Sequence, residues 1–177
     1  MSATGQTETA PSGSGLADGR WRVDPTRSEL TFGSRGMFGL VAVRGSFSEF
    51  SGEMTAANGD AHGELRIKAA SLDTGNAMRD KHLRSPDFFD AETHETLTFT
   101  LLGVMREPSG LALRGVLRIK DSELEVNAPL QLETQNGEIT LSTELEVDRA
   151  AAGLGWSRAG MIKGPATLAA RVTLLGA

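Results

Sequence analysis

Most residues whose types could carry out chemistry lie in one stretch, "SLDTGNAMRDKHLRSPDFFD", at positions 71–90. It contains His82 between Asp80 and Asp87, with Ser85 close by. A Ser–His–Asp relay requires such groups to converge from fixed directions beside an oxyanion hole. A short charged helix provides no evident geometry of that kind. We therefore predict that His82 is structural and that the chain has no catalytic residue, and we keep a hydrolase-type enzyme using His82 as an alternative.

The remaining candidates for chemistry are weaker. His94 stands beside Glu92 and Glu95 at a predicted strand entrance, where adjacent residues point to opposite faces, so we predict no metal site. The chain has no Cys, which excludes disulfides, thiolate catalysis and Cys-ligated metals. The glycine-rich segment 151–165 lacks the spacing of a phosphate or dinucleotide loop. We therefore predict no cofactor.

Composition limits the class of protein. The chain has 177 residues, 39% of them hydrophobic and 23% charged, as expected for one globular domain. Its net charge of -5 argues against binding nucleic acid. No apolar run reaches the roughly 20 residues of a membrane span. Residues 1–19 have neither the basic nor the apolar region of a signal peptide, so we predict a disordered polar tail and a cytoplasmic location.

The elements that must position these residues are predicted by alternation of apolar and polar side chains. Segments such as "HGELRIKAASL", "LEVNAPLQLE" and "EITLSTELEV" alternate with period two, which is typical of half-buried antiparallel strands. Asn58-Gly59 and Asn136-Gly137 separate such runs and favour tight hairpins. The pattern predicts a meander of seven or eight amphipathic strands. A closed barrel and a two-sheet sandwich both cover the apolar faces, and the pattern leaves both open.

The stretch with the histidine departs from this alternation. Asn76 can cap a short helix, and Ser85-Pro86 ends it. We therefore predict a short helical insertion near residues 76–90.

The apolar strand faces indicate what the interior can hold. They carry Leu, Val, Ile, Ala, Gly and Phe and almost no ionisable group, whereas an enzyme working there would need an acid, a base or a metal ligand. Aromatics are only 5% and Gly numbers 21, which favours a cavity for an apolar ligand such as a lipid tail. An interior filled by Leu and Met is the alternative.

Cations concentrate in the irregular parts of the chain. If several of them surround one mouth of a barrel, they can hold a phosphate or another polar head group. Scattered solvated charges are the alternative. The residues concerned are Arg35, Arg44, Arg79, Lys81, Arg84, Arg158 and Lys163.

Three segments resemble the YceI-like family: "WRVDPTRSELTF" (21–32), "VRGSFSEFSGEM" (43–54) and "SLDTGNAMRDKHLRSPDFFDAETHETLTF" (71–99). The resemblance implies an all-β fold over residues 20–177, an antiparallel lipocalin-like β-barrel of about eight strands. It also implies that the lumen binds an amphiphilic isoprenoid, such as a polyprenyl phosphate or an isoprenoid quinone. Arg27 and Gly36 stand where the family often has histidines.

This resemblance and the apolar faces together predict a lipid carrier or reservoir whose partner is an isoprenoid or other long-chain lipid. A ligand-free interaction or stress-associated module is the alternative, and a homodimer is left open. The predicted ligand-binding residues of the lumen or its mouth are Phe32, Phe38, Val43, Phe47, Leu65, Ile67, Arg79, His82, Phe88, Phe99, Leu101, Leu113, Leu117, Leu141, Leu145 and Trp156.

Overall fold

The computed structural model of the chain describes residues 14–36, 41–154 and 162–177. The described part contains one α-helix and a single antiparallel sheet. None of its helices has the length and hydrophobicity needed to cross a bilayer. The elements are β1 (Gly19–Val23), β2 (Glu29–Gly36), β3 (Val41–Phe47), β4 (Phe50–Ala57), β5 (Asp60–Lys68), β6 (Leu72–Asp73), α1 (Ala77–Arg84), β7 (Thr96–Glu107), β8 (Gly110–Ile119), β9 (Ser122–Gln135), β10 (Glu138–Val147) and β11 (Ile162–Gly176).

The sheet closes on itself. All neighbouring strands in the sheet are antiparallel, and the last strand pairs with the first, with Trp21 opposite Gly176 and Val23 opposite Leu174. Three pairs of short strands, β1 with β2, β3 with β4, and β5 with β6, act as single long strands with a break in the middle. The result is an eight-stranded meander barrel. The predicted all-β barrel is therefore confirmed, and the two-sheet alternative is wrong.

The break between β1 and β2 follows from local sequence. Pro25 starts a short 3-10 turn, and the side chain of Asp24 caps this turn by accepting a hydrogen bond from the Thr26 backbone N–H. Ser28 Oγ then accepts a hydrogen bond of 2.9 Å from the Thr173 backbone N–H. The chain therefore bends between β1 and β2 without leaving β11.

Arg27, one of the two positions that depart from the family pattern, ties this bend to the start of β10. Its guanidinium donates two hydrogen bonds, of 2.7 and 2.6 Å, to the Glu138 carboxylate. These hydrogen bonds, and next the positive charge of Arg27, lower the pKa of Glu138. Because both groups face solvent, this pair fixes geometry more than it adds stability.

The two ends of the barrel differ. One end, called the turn end below, carries the hairpins Asn58-Gly59 and Asn136-Gly137, whose residues all have positive φ. Positive φ at both central residues is the type I′ geometry that Asn-Gly favours, as predicted. The other end, called the helix end, carries α1 and the segment Asp148–Leu154.

Residues just before β1 pack on the turn end. Leu16 is buried in the core, and the Ser14 hydroxyl donates a hydrogen bond of 2.8 Å to the Gly59 carbonyl. Asp18 accepts a hydrogen bond of 2.9 Å from the Asn58 backbone N–H. Residues 14–18, which fall inside the segment predicted as a tail, therefore contact the barrel. Residues 1–13 of that predicted tail lie outside the described part.

A bulge in β7 depends on an aspartate from the neighbouring strand. The register of β7 against β8 shifts between Leu101 and Gly103. Asp60 Oδ1 accepts hydrogen bonds from the backbone N–H groups of Ala61, at 2.8 Å, and Val104, at 3.2 Å. These two bonds, in that order, lower the pKa of Asp60.

This depressed pKa gives a pH prediction. A carboxyl whose pKa is lower in the folded state adds stability above its unfolded pKa of about 3.9 and loses it as the pH falls through the folded value. We expect Asp60→Asn to lower the free energy of unfolding at pH 7 by less than about 1 kcal/mol, because the side chain is half exposed. Urea unfolding should show that the free energies of unfolding of Asp60→Asn and the unsubstituted protein differ less at pH 3 than at pH 7. A difference that grows in acid would contradict it.

Candidate ligand-binding lumen

The interior of the barrel contains three apolar cavities in a row along its axis. A cavity of about 110 Å³ lies at the turn end, one of about 90 Å³ in the middle and one of about 70 Å³ at the helix end. The first two share Leu65, Phe99 and Leu113, and the last two share Phe47 and Leu168. Neighbouring cavities are therefore separated by side chains and not by backbone.

Most predicted lumen residues line these cavities. Strand alternation places all of them except Phe88, which lies in the turn after α1, on the inner face, and their side chains are buried or half-buried. Those that line at least one cavity are Phe32, Phe47, Leu65, Ile67, Phe88, Phe99, Leu101, Leu113, Leu117, Leu141 and Leu145.

The other predicted residues have different positions. Arg79 lies on α1, and its guanidinium donates hydrogen bonds of 2.9 Å to the hydroxyl and to the carbonyl of Thr74, so it holds the turn before the helix. Val43 lies in β3 opposite Ser34. Phe38 and Trp156 lie outside the described residues.

His82 lies on α1, is half-buried, and lines none of the three cavities. Its Nε2 is 3.2 Å from a carboxylate oxygen of Asp87, and its ring packs edge-on against Phe88. The Ser85 hydroxyl donates to the backbone carbonyl of His82 at 2.5 Å, which caps the helix end. The serine proton is therefore used in a cap and is not aimed at the imidazole.

The helix also depends on a buried carboxylate. Asn76 accepts a hydrogen bond from the Arg79 backbone N–H and caps α1, as predicted. Asp80 is 6% exposed and accepts from the backbone N–H and the hydroxyl of Thr74. Buried carboxylates require such partners, and here they fix α1 against the preceding turn.

Aromatic rings close the helix end of the lumen. The ring centroids of Phe32 and Phe47 are 5.2 Å apart, and Phe89 packs edge-on against both, at 6.2 and 5.9 Å. Phe88 and Leu83 complete the wall of the third cavity. Phe89 was not among the predicted ligand residues, although it directly follows Phe88 in the sequence.

Thr143 is a polar residue on the inner face of the wall, and it was not among the predicted site residues. It borders the first and second cavities, and its hydroxyl donates a hydrogen bond of 2.8 Å to the Pro129 carbonyl. The sequence alone could have placed it there, because residues 141, 143 and 145 of one strand face the same side and Leu141 and Leu145 are predicted lumen residues. Its small side chain leaves space where a leucine would fill the lumen.

Charged residues lie at the margins of the cavities. Glu53 and Glu64 border the first cavity, but both have outward strand parity, and the Glu64 carboxylate pairs with Arg66 outside the barrel. Arg149 borders the third cavity at the helix end. The middle cavity is lined by aliphatic and aromatic residues and two threonines. The middle cavity therefore has no charged side chain in its lining.

The lumen is narrower than the amino-acid composition suggested. Sites for drug-sized ligands usually measure about 300–1,000 Å³. Each cavity here, the largest about 110 Å³, holds only a few carbon atoms. Core side chains, mostly leucine, valine, isoleucine and phenylalanine, occupy the rest of the interior.

Metal binding has little support in the described residues. No group of three or more His, Asp or Glu side chains in residues 14–36, 41–154 and 162–177 is arranged to hold an ion. His94, the candidate ligand in the sequence, has its Nε2 3.9 Å from a carboxylate oxygen of Asp121, an exposed residue.

The fold and its interior define a class of protein: an antiparallel, lipocalin-like barrel with an apolar lumen. The model of the YceI-like domain matches residues 21–174. The chain therefore belongs to the YceI-like family.

Curated relatives and solved structures agree with this assignment. A UPF0312 protein of Vibrio cholerae serotype O1 is 33% identical over 109 residues, which are 60% of this chain and 51% of that protein. The chain thus spans about half the length of this curated relative. Burkholderia cenocepacia BcnA superposes with a TM-score of 0.76 over 85% of this chain and 98% of its own, at 23% identity. A polyisoprenoid-binding domain from Saccharophagus degradans, implicated in plant cell wall breakdown, superposes with a TM-score of 0.71 over 89% and 98%, at 18% identity.

Proposed function

We propose that the barrel binds the hydrocarbon tail of an isoprenoid lipid in its lumen and serves as a carrier or reservoir for it. The observation that supports this proposal most directly is the row of three apolar cavities along one axis. A linear hydrocarbon chain fits such a row better than a compact ligand does. One structural neighbour is described as a polyisoprenoid-binding domain, which agrees with this choice.

The driving force is burial of apolar surface. Each Å² of apolar area removed from water stabilises the complex by roughly 25 cal/mol, so a tail of a few isoprene units gains several kcal/mol. Part of this gain is spent on moving Leu65, Phe99 and Leu113, which separate the first two cavities.

A binding role suits the interior better than a catalytic one. Thr31 and Thr143 are the polar residues that border the middle cavity, and none of its lining side chains titrates near neutral pH. General acid–base chemistry needs such a group within hydrogen-bond reach of the substrate. The cytoplasmic location stays a prediction, and a homodimer stays open.

Native mass spectrometry of the purified protein tests the proposal. We expect an adduct of isoprenoid mass, or uptake of one added all-trans-retinol molecule per chain. Retinol is an isoprenoid alcohol, and palmitic acid serves as an unbranched comparison. A protein that neither carries nor takes up an isoprenoid would contradict the carrier function.

A further inference from the structure

The wall of the barrel is split between β9 and β10. Their pairing runs from Gln135 opposite Glu138 only as far as Leu130 opposite Thr143. Beyond this pair, Ser122–Pro129 stays paired with β8, and Glu144–Val147 stays paired with β11, but the two segments are not paired with each other. A gap therefore opens in the half of the wall nearer the helix end.

Pro129 explains where the split begins. Its carbonyl accepts a hydrogen bond from the Thr143 hydroxyl, so the carbonyl points towards β10. In an antiparallel ladder a residue directs its N–H and C=O to the same neighbour, so the N–H that proline lacks would also have faced β10. The Pro129–Glu144 pair therefore lacks one of the two main-chain hydrogen bonds of a ladder rung, and the observed pairing ends just before it.

The far edge of the gap is also defined. Lys120, in the turn between β8 and β9, donates a hydrogen bond of 2.7 Å from Nζ to the carbonyl of Gly153, in the segment after β10. This contact joins the two sides at the rim. The gap is thus bounded by the Thr143–Pro129 hydrogen bond on one side and by the Lys120–Gly153 bond on the other.

An outer groove adjoins the interior beside this gap. A groove of about 470 Å³ lies on the outside of β2, β9, β10 and β11. Thr31, Thr143, Ala169 and Ala170 line both this groove and the middle cavity. Thr31 pairs with Ala169 across β2 and β11, and Thr143 pairs with Ala170 across β10 and β11, so the groove and the middle cavity lie on opposite faces of the same thin wall.

From this arrangement we propose that the isoprenoid enters sideways, tail first, through the gap between β9 and β10, and leaves an uncharged head group in the outer groove. This inference rests on the proposed function. The inference adds an entry route and a class of head group to the proposed lipid-binding function.

The charges of the groove favour an uncharged head. The carboxylates of Glu29 and Glu144 and the guanidinium of Arg171 lie along it, so the acidic groups outnumber the basic one. Arg171 is also 3.8 Å from the carboxylate of Glu133. A phosphate there would meet net repulsion, whereas hydroxyl or carbonyl oxygens can bond to Gln131 or Ser142.

Closing the gap chemically tests the route, and the absence of Cys from the chain makes this simple. Continuing the register of Leu130 and Thr143 places Asn127 and Glu146 across the gap, and both are exposed. In the variant Asn127→Cys/Glu146→Cys, a short bismaleimide should join the two edges. The matched control is Glu133→Cys/Thr140→Cys, on two residues that already face each other in the same ladder.

The readout is the rate at which all-trans-retinol fluorescence rises on mixing. We expect cross-linking of the gap pair to slow uptake by at least about tenfold, and cross-linking of the control pair to leave it unchanged. An unchanged rate in the cross-linked gap pair would overturn the side route while leaving the carrier function intact. If the unlinked variants and the unsubstituted protein all fail to bind retinol, both proposals fall.

Two further measurements need no cross-linker. Pro129→Val restores the missing donor, and we expect it to extend the ladder, protect β10 amides from hydrogen exchange and slow retinol uptake. For the head group, we expect retinyl phosphate to bind more weakly than retinol. In the variant Glu29→Gln/Glu144→Gln, we expect the affinities for the two lipids to become more similar. Equal binding of the two lipids by the unsubstituted protein would overturn the assignment of an uncharged head.

Discussion

Ala170→Phe is expected to abolish isoprenoid binding while the barrel still folds. Ala170 points inward from β11 and borders both the first and the middle cavity, of about 110 and 90 Å³. A phenyl ring at this position occupies the space that the tail needs. We expect the retinol affinity to fall by at least about tenfold and the free energy of unfolding by about 1–3 kcal/mol from overpacking. Fluorescence titration and urea unfolding measure the two effects separately.

Thr167→Phe is the matched control for this substitution. Thr167 lies on the same strand with opposite parity, so the added ring points outside the barrel. Retinol affinity should stay within about twofold of the unsubstituted protein, because a surface substitution changes little. If Ala170→Phe binds retinol as well as Thr167→Phe does, the tail does not occupy these cavities.

Phe89→Ala is expected to give the largest loss of stability. Phe89 is 7% exposed and packs edge-on against Phe32 and Phe47. Truncating a buried phenylalanine costs about 3–5 kcal/mol, from lost burial and the void left behind. The void would enlarge the third cavity, now about 70 Å³. Urea unfolding followed by tryptophan fluorescence measures the free energy change.

Met78→Ala provides the comparison for Phe89→Ala. Met78 also belongs to the helical insertion, but its side chain is 86% exposed. We expect its removal to change the free energy of unfolding by no more than about 0.5 kcal/mol. A loss below about 1 kcal/mol for Phe89→Ala would mean that the aromatic cluster does not hold the helix end together.

Much of this fold could be predicted from the sequence, because alternation and turn chemistry are local signals. Asn58-Gly59 and Asn136-Gly137 form hairpin turns. The apolar residues of the alternating segments that flank these turns face the lumen. The helix begins where Asn76 predicts it. Each of these features depends on side chains a few residues apart.

The split wall could not be predicted in the same way. Pro129 lies inside "LEVNAPLQLE", which alternates like a continuous strand. Whether its missing donor faces β8 or β10 depends on the register with both neighbours, which alternation does not contain. The cavity volumes likewise depend on the rotamers of residues such as Phe99 and Leu113, so composition suggested a wider lumen than the structure has.

The breaks in the wall also have a mechanical consequence. At the turn end, main-chain pairing runs through every neighbouring strand around the ring, closed by β11 against β1. Nearer the helix end, two pairings are missing among the described strands. β6 is paired with β3 but not with β7, and the adjacent halves of β9 and β10 are not paired with each other. The circumference is therefore fixed at one end only. At the other end, opening the Lys120–Gly153 hydrogen bond lets β9 and β10 move apart around a thicker molecule without breaking any main-chain ladder.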